Sequence, residues 1–167
     1  MYNPEIYVAC LASYNAQILH GVWIDATQSA ADIECDVQRM LSKSKEEYAE
    51  EWAIHDHSDF GGVEISECES FGNVSAIAAF LIDHGELGAL VLEHCNGNLK
   101  DSEKMLENYI GEYKSLEDYA TEYCNDCMDI PESLEPYFDY ERFGKDLSYG
   151  LIEIEQSFRE IHLFYNF

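Results

Sequence analysis

The sequence predicts an α+β fold of three small domains arranged along an elongated chain. Short apolar runs bounded by turn residues predict strands, and apolar residues at helical spacing predict helices between them. Breaks near residues 60 and 108 divide the 167 residues into sections of similar length. We therefore expect domains at residues 1–60, 61–108 and 109–167. Cores of this size are marginal alone, so the sections are expected to support one another or a partner chain.

The first section has the pattern of a small antiparallel sheet covered by one helix. Ile6–Ala12 and Ile18–Ile24 are apolar runs joined by a short link, which predicts two neighbouring strands. Gly21, inside the second run, is interpreted as the site of a bulge. Ser29–Leu41 places apolar residues on one helical face, and Trp52–His57 alternates as a third strand would.

The middle section is predicted to be helical. Gly61-Gly62 marks the break that precedes it. Apolar residues then recur at helical spacing from Phe71 to Glu107. Gly85 and Gly97 interrupt this pattern, so each is expected to end a short helix.

The third section mixes strands and helices. Ser115 is followed three residues later by Asp118, a capping pattern that predicts the start of a helix. Pro131 and Pro136 each suit the first turn of a short helix. The remaining predicted elements are a strand at Glu107–Tyr113, a helical segment at Tyr137–Leu147 and a C-terminal hairpin formed by Leu151–Glu155 and Glu160–Tyr165.

Charge is the most unusual property of the sequence. It has 9 Lys and Arg residues against 34 Asp and Glu, a net charge of −25 at pH 7. The excess of acids is 8, 7 and 10 in the three sections, so the charge coats the whole chain and is not confined to a tail. Direct binding to nucleic acid and electrostatic attraction to an anionic membrane are therefore excluded.

The cysteines and the absence of an export signal in the sequence favour a cytoplasmic protein. No signal peptide or membrane span is predicted, and the six Cys have no framework spacing, so reduced thiols are expected. Cys124 and Cys127 form a lone CxxC. Its acidic neighbours disfavour a thiolate, so structural cysteines are favoured over redox or zinc-binding ones.

No arrangement of residues predicts catalysis, a metal site or a cofactor. His55 and His57 lie on the same side of a predicted strand, but no third and fourth ligand are indicated. His84 and His94 each follow an acidic residue on a helical segment and are interpreted as satisfied or surface histidines. Phosphate-binding loops, nucleophile elbows and calcium loops are missing from the sequence. We therefore expect a protein that is not an enzyme.

The segment from Ser115 to Leu147 holds the densest group of acids. Asp118, Glu122 and Asp126 are four residues apart, so on a helix they lie on one face and repel one another. The stripe beside them is apolar and is formed by Leu116, Tyr119, Ala120, Tyr123 and Cys127. A solvated helix face explains such acids as well as a binding surface does. The candidate acidic surface comprises Asp118, Glu122, Asp126, Asp129, Glu132, Glu135, Asp139, Glu141 and Asp146.

The density of these charges approaches that of DNA. A helix with an acid at every fourth residue presents one charge per about 6 Å, whereas each strand of a duplex presents one per roughly 3.4 Å. Two such stripes side by side approach the charge density of one phosphate strand. A net charge of −25 matches the charge of about 42 Å of duplex. A folded anion of this kind suits a basic DNA-binding groove.

Several stretches of the chain resemble the ArdA family of antirestriction proteins. The resemblance is carried by Ile130–Tyr140, Gly144–Leu147, Ile6–Leu11 with Tyr14-Asn15, Gly21–Trp23 and Glu51–Asp56. Phe138 stands where the family pattern has Ile, and Lys145 where it has Arg. The matching stretches keep the family order from the N-terminus to Leu147.

The resemblance implies a protein carried by mobile DNA that protects this DNA from restriction. Family members mimic bent B-form DNA and block the DNA-binding groove formed by the specificity and methyltransferase subunits of type I restriction-modification enzymes. It also implies an elongated homodimer of three small domains per chain, paired through the third domain. Two alternatives remain: an acidic immunity-type inhibitor of another basic nucleic-acid-binding protein, and a halophile-type acidic scaffold.

The apolar residues near the C-terminus predict where two copies would join. Two highly charged anions repel, so the joint is expected in the least charged part of the chain. The predicted strand Glu160–Tyr165 has apolar residues on both of its faces. A sheet with only one covered face would not bury all of them. The predicted dimer interface comprises Phe138, Phe158, Phe164 and Tyr165, with Phe167 beside them.

Overall fold

Two three-stranded antiparallel sheets, each with helices packed on it, make up the computed structural model, which describes residues 2–166. The predicted α+β class is confirmed. Contacts divide the chain into two units, Met1–Leu99 and Lys100–Phe167. Residues 61–99 thus fall in the same unit as the N-terminal sheet, and a separate middle domain is not confirmed.

The first sheet has β1 (Glu5–Cys10) at its centre, between β2 (Gly21–Asp25) and β3 (Trp52–Ser58). All three predicted strands are confirmed, although the first ends at Cys10 because a short helix, α1 (Leu11–Asn15), begins there. Ser29 caps α2 (Ala30–Leu41) by accepting a hydrogen bond from the Asp32 backbone N–H at 3.2 Å. The buried face of α2, formed by Ile33, Val37, Met40 and Leu41, confirms the predicted helix.

The predicted bulge at Gly21 is wrong. Gly21 pairs in register with Ala9, and the irregularity lies between Tyr7 and Val8, where β1 pairs with β3. Gly21 is needed for space instead. A Cβ there would lie 2.6 Å from the Val8 carbonyl oxygen and 2.7 Å from the ring of Tyr7.

The next two helices are α3 (Phe71–His94) and α4 (Leu99–Glu107), separated by the predicted break at Gly97. Gly97 has φ +79°, and its N–H donates to the Leu92 carbonyl at 2.8 Å, which closes the end of α3. Gly85 has φ 59° and ψ −141°, so α3 is interrupted where the sequence predicts it. α3 is long and apolar enough to cross a membrane by length and composition. Its many buried side chains and its interruption are those of a core helix.

The second sheet consists of β4 (Tyr109–Tyr113), β5 (Leu151–Ser157) and β6 (Glu160–Tyr165), in the order β4-β6-β5. The predicted strand before Ser115 and the C-terminal hairpin are both confirmed. Because β6 is the central strand, Ile161–Phe164 are all buried. Ile161 and Leu163 share a core with Tyr119, and the ring of Tyr109 contacts the rings of His162 and Phe164. The apolar residues on both faces of β6 are thus accounted for within one chain.

Two helices accompany this sheet, α5 (Leu116–Cys127) and α6 (Tyr140–Ser148). Ser115 accepts from the Asp118 N–H at 3.2 Å, which confirms the predicted start of α5. Pro136 lies in a short 3-10 helix, Glu135–Tyr137, as predicted, whereas Pro131 opens only a turn. Gly144 is the contact point between the helices: a Cβ there would lie 2.8 Å from the Leu116 carbonyl carbon.

We expect Gly144→Ala to lower the free energy of unfolding by about 1–3 kcal/mol, because the added methyl group forces α6 away from rigid backbone. Urea unfolding followed by far-UV circular dichroism measures this. Gly72→Ala in α3 is the matched control, since no atom lies within 4 Å of a Cβ at that position. A Gly144→Ala protein as stable as its parent would contradict the close contact.

Candidate functional site

All nine carboxylates of the predicted acidic surface are exposed. They lie on α5, in the loop after it and on α6, all within the second unit. The set is Asp118, Glu122, Asp126, Asp129, Glu132, Glu135, Asp139, Glu141 and Asp146. Even if each of the 9 Lys and Arg residues were paired with an acid, 25 of the 34 acids would remain without a basic partner.

α5 presents its acids to solvent because its other face is packed. Tyr119, Ala120 and Cys124 are buried. Asp118, Glu122 and Asp126 lie on the exposed side. The sequence placed Cys127 on the apolar face, and this is wrong: Cys127 is exposed. Cys124, one turn earlier, is buried instead. The helix ends at Cys127, so Cys127 lies beyond the packed face.

Glu122 is held by a neighbouring strand. The Tyr113 hydroxyl on β4 donates a hydrogen bond to Glu122 Oε1 at 3.0 Å. Burial, and then the hydrogen bond to this carboxylate, raises the pKa of Tyr113 to about 12. The phenol therefore stays protonated at neutral pH and fixes the position of one charge in the acidic stripe.

Asp139 and Glu141 have local roles. Asp139 caps α6, since its Oδ1 accepts from the Arg142 backbone N–H at 3.0 Å. Glu141 Oε1 pairs with Lys145 Nζ at 2.6 Å. Among the nine carboxylates, and within residues 2–166, Glu141 is the one that forms an ion pair. Its charge is therefore compensated more than that of its neighbours.

The four residues predicted at a dimer interface occupy different environments. Phe158 is 85% exposed at the turn of the C-terminal hairpin, and Tyr165 is 54% exposed. Phe138 is half-buried, with ring centroids 4.9 Å from Tyr140 and 5.5 Å from Phe143. Phe164 is fully buried and unavailable to a second copy, which corrects the expectation for that residue.

Two further aromatic residues bear on this prediction. Phe167 lies outside the described residues. Tyr149 is 88% exposed and was missed by sequence reasoning. Its position in the turn between α6 and β5, directly before Gly150, is the signal that would have identified it.

The cysteine and histidine candidates have structural partners. Burial, and then the nearby Cys127, raises the pKa of Cys124, which opposes thiolate chemistry. His55 contacts the Tyr14 ring edge-on at 4.7 Å. Nε2 of His57 lies 3.3 Å from the Ile65 backbone N–H that donates to it. The remaining two, His84 beside Phe80 at 4.6 Å and His94 in the last turn of α3, lie on a core helix.

One cluster with metal-binding residue types was not predicted. Potential ligand atoms of Glu112, Glu160 and His162 all lie within 4.8 Å of one another. Both ring nitrogens of His162 are already engaged, one 2.9 Å from the Tyr109 hydroxyl and the other 2.8 Å from Gln156 Oε1. A metal ion would have to displace one of these hydrogen bonds, so we interpret the cluster as a polar network of the second sheet.

Comparison with known proteins identifies one family. The model of the family described as "Antirestriction protein (ArdA)" matches residues 6–160, nearly the whole chain. No curated protein matches the sequence. The matched range includes all but the first residue of β1, the whole of β4 and the entire acidic surface described above.

We expect Tyr113 to ionise near pH 12 and Glu122→Gln to lower that pKa, because a neutral amide holds the phenol proton less strongly. The folded pKa lies above the ordinary value of 10.0. The stability from this contact is therefore complete below about pH 10 and is lost as pH rises through about 12.

Ultraviolet difference titration between the parent and Tyr113→Phe isolates this phenol. Glu117→Gln, an exposed acid on the same helix, is the control and should leave the titration unchanged. Ionisation of Tyr113 at about 10 in the parent would refute the bond to Glu122.

Proposed function

Because the chain belongs to the ArdA family of antirestriction proteins, we propose that it inhibits type I restriction-modification enzymes by occupying their DNA-binding groove as a mimic of DNA. The inhibitor acts by binding alone, without catalysis. Its cytoplasmic action protects incoming mobile DNA, such as a plasmid or phage genome, from cleavage. Its partners are the specificity and methyltransferase subunits.

The observation that carries this proposal is the unpaired charge. Asp and Glu outnumber Lys and Arg by 25 in the chain. Duplex DNA carries one charge per roughly 1.7 Å, so this excess equals about 42 Å of duplex. When these carboxylates bind to a basic groove that normally binds phosphates, counterions are released, and this release favours binding. Binding is therefore expected to weaken as salt rises.

The nine exposed acids of the second unit are the proposed DNA-mimicking surface. Asp118, Glu122 and Asp126 supply a row of charges along α5, and Glu122 is preorganised by Tyr113. Glu141 contributes less, since Lys145 compensates its charge. An acidic inhibitor of another basic protein, or an acidic scaffold of halophile type, would have the same composition, and the first assay below separates them.

We also infer a homodimer joined through the second unit. A type I target is bipartite and spans more than the duplex length that one chain matches, so two copies related by two-fold symmetry suit it. Two anions of −25 repel, which requires an apolar joint. Phe158 and Tyr165 are exposed and suit that role, and Tyr149 lies on the same unit.

We expect the protein to displace DNA competitively from a type I methyltransferase core and to leave both DNA and enzyme covalently unchanged. Fluorescence anisotropy of labelled DNA at several salt concentrations measures this, with gel analysis of the DNA afterwards. A type II restriction enzyme serves as the control. Inhibition that persists while DNA stays fully bound would contradict the mimic.

The same assay tests the acidic surface. Asp118→Asn, Glu122→Gln and Asp126→Asn should each weaken inhibition by no more than about threefold, because an exposed charge contributes little alone. The triple variant should weaken it much more. The charge-preserving triple Asp118→Glu, Glu122→Asp, Asp126→Glu is the matched control. Complete loss from one neutralisation in a folded protein would indicate a specific site instead.

We expect the parent to sediment as a dimer at micromolar concentration and Phe158→Asp to shift it to the 19.1 kDa monomer, because a charge would be buried in the joint. Tyr48→Asp is the control, since Tyr48 is 86% exposed and lies in the first unit. A monomeric parent refutes the dimer, and dimers of Phe158→Asp place the joint at other residues.

A further inference from the structure

The first sheet has a second face, opposite to the one that packs against α2. Alternate residues of a strand point to opposite faces, and Ile6 and Val8 of β1 are buried on the side of α2. Glu5 and Tyr7 therefore belong to the other face. Tyr7 pairs with Trp23 on β2 and with Asp56 on β3, so one aromatic pair lies at the middle of this face.

The aromatic pair is held in place and accessible. The ring centroids of Tyr7 and Trp23 are 5.5 Å apart at an interplanar angle of 52°. The Tyr7 ring lies over Gly21, where a Cβ would come within 2.7 Å of it. Trp23 is 45% exposed. A large aromatic surface is thus preorganised on the sheet with one indole facing solvent.

Three carboxylates lie at strand positions next to this pair. Glu5 on β1 lies directly opposite Asp25 on β2, a like-charge pair that weakens a sheet. Asp56 pairs with Tyr7 from the other side. In the part of the chain that the structure describes, none of these three forms an ion pair with Lys or Arg. The face combines an exposed indole with three acids and has the charge to attract a cation.

We propose that this face binds an arginine side chain of the basic target protein, with the guanidinium stacked on the Trp23 indole and its N–H groups donating to the flanking carboxylates. Arginine suits the face better than lysine because its planar group stacks on an aromatic ring and forms forked hydrogen bonds with carboxylates. The proposal rests on the proposed function for the identity of the partner. It adds one specific contact, in the first unit, to an interaction otherwise described by distributed charge.

The binding experiment compares two substitutions at one position. Trp23→Leu keeps an apolar side chain but removes the aromatic face, and it should weaken binding to the type I methyltransferase core about tenfold. Trp23→Phe keeps an aromatic face and should lose less than threefold. Tyr48→Leu, an exposed aromatic in the same unit, is the control and should bind as the parent does.

Salt dependence separates stacking from charge. Trp23→Leu should leave the slope of log Kd against log salt unchanged, whereas Glu5→Gln should reduce it, because only the second change removes a charge. The proposal is overturned if Trp23→Leu binds with the parent's affinity. It is also overturned if Trp23→Phe loses as much affinity as Trp23→Leu.

A second measurement works without the restriction enzyme. A blocked Arg-Gly-Arg peptide, but not Lys-Gly-Lys, should shift the Trp23 indole N–H resonance in the full-length protein. The Trp52 indole, stacked on Phe71 at 4.3 Å, is the internal reference. If the peptide shifts Trp23 while the type I enzyme does not bind, the function fails and the arginine site stands. Equal shifts from both peptides, or none, overturn the site.

Discussion

Repulsion between uncompensated carboxylates is the constraint on which the rest of this structure depends. With 34 acids and 9 bases, the folded chain concentrates charge that an unfolded chain would spread out. The opposing stability comes from small cores, such as Tyr119 with Ile161 and Leu163, and from capped helices. The charged side chains stay at the surface, where water and salt screen them. Acidity thus restricts where carboxylates lie but leaves the apolar pattern of each element intact.

Local signals explain which parts of the fold could be predicted from the sequence. Ser29 and Ser115 are caps that a short motif reveals, and Gly85 and Gly97 interrupt helices because of their own backbone freedom. The error at Cys127 arose at the end of its own helix, whereas two other errors came from contacts between distant segments. The role of Gly21 depends on the ring of Tyr7, and the burial of Phe164 depends on β6 being the central strand.

The candidate site also has a part that could be predicted from the sequence and a part that could not. Exposure of acids such as Asp126 follows from residue type and helical spacing, so the acidic surface could be predicted. The bond between Tyr113 and Glu122, and the pairing of Tyr7 with Trp23, join residues from different elements and have no signal in a linear pattern. Strand order and register had to be known before either could be seen. Recognition of a partner adds a further requirement, because it depends on the charges of both surfaces.

The order of strands in the second sheet has a consequence for synthesis. β6 lies between β4 and β5 in space but follows both in the chain. Neither earlier strand has a neighbour to pair with until β6 has left the ribosome, so the sheet forms in one late step. α5 is made well before its buried side gains Ile161 and Leu163 as neighbours. An interrupted translation product would therefore have the acidic helix without the sheet that orients it.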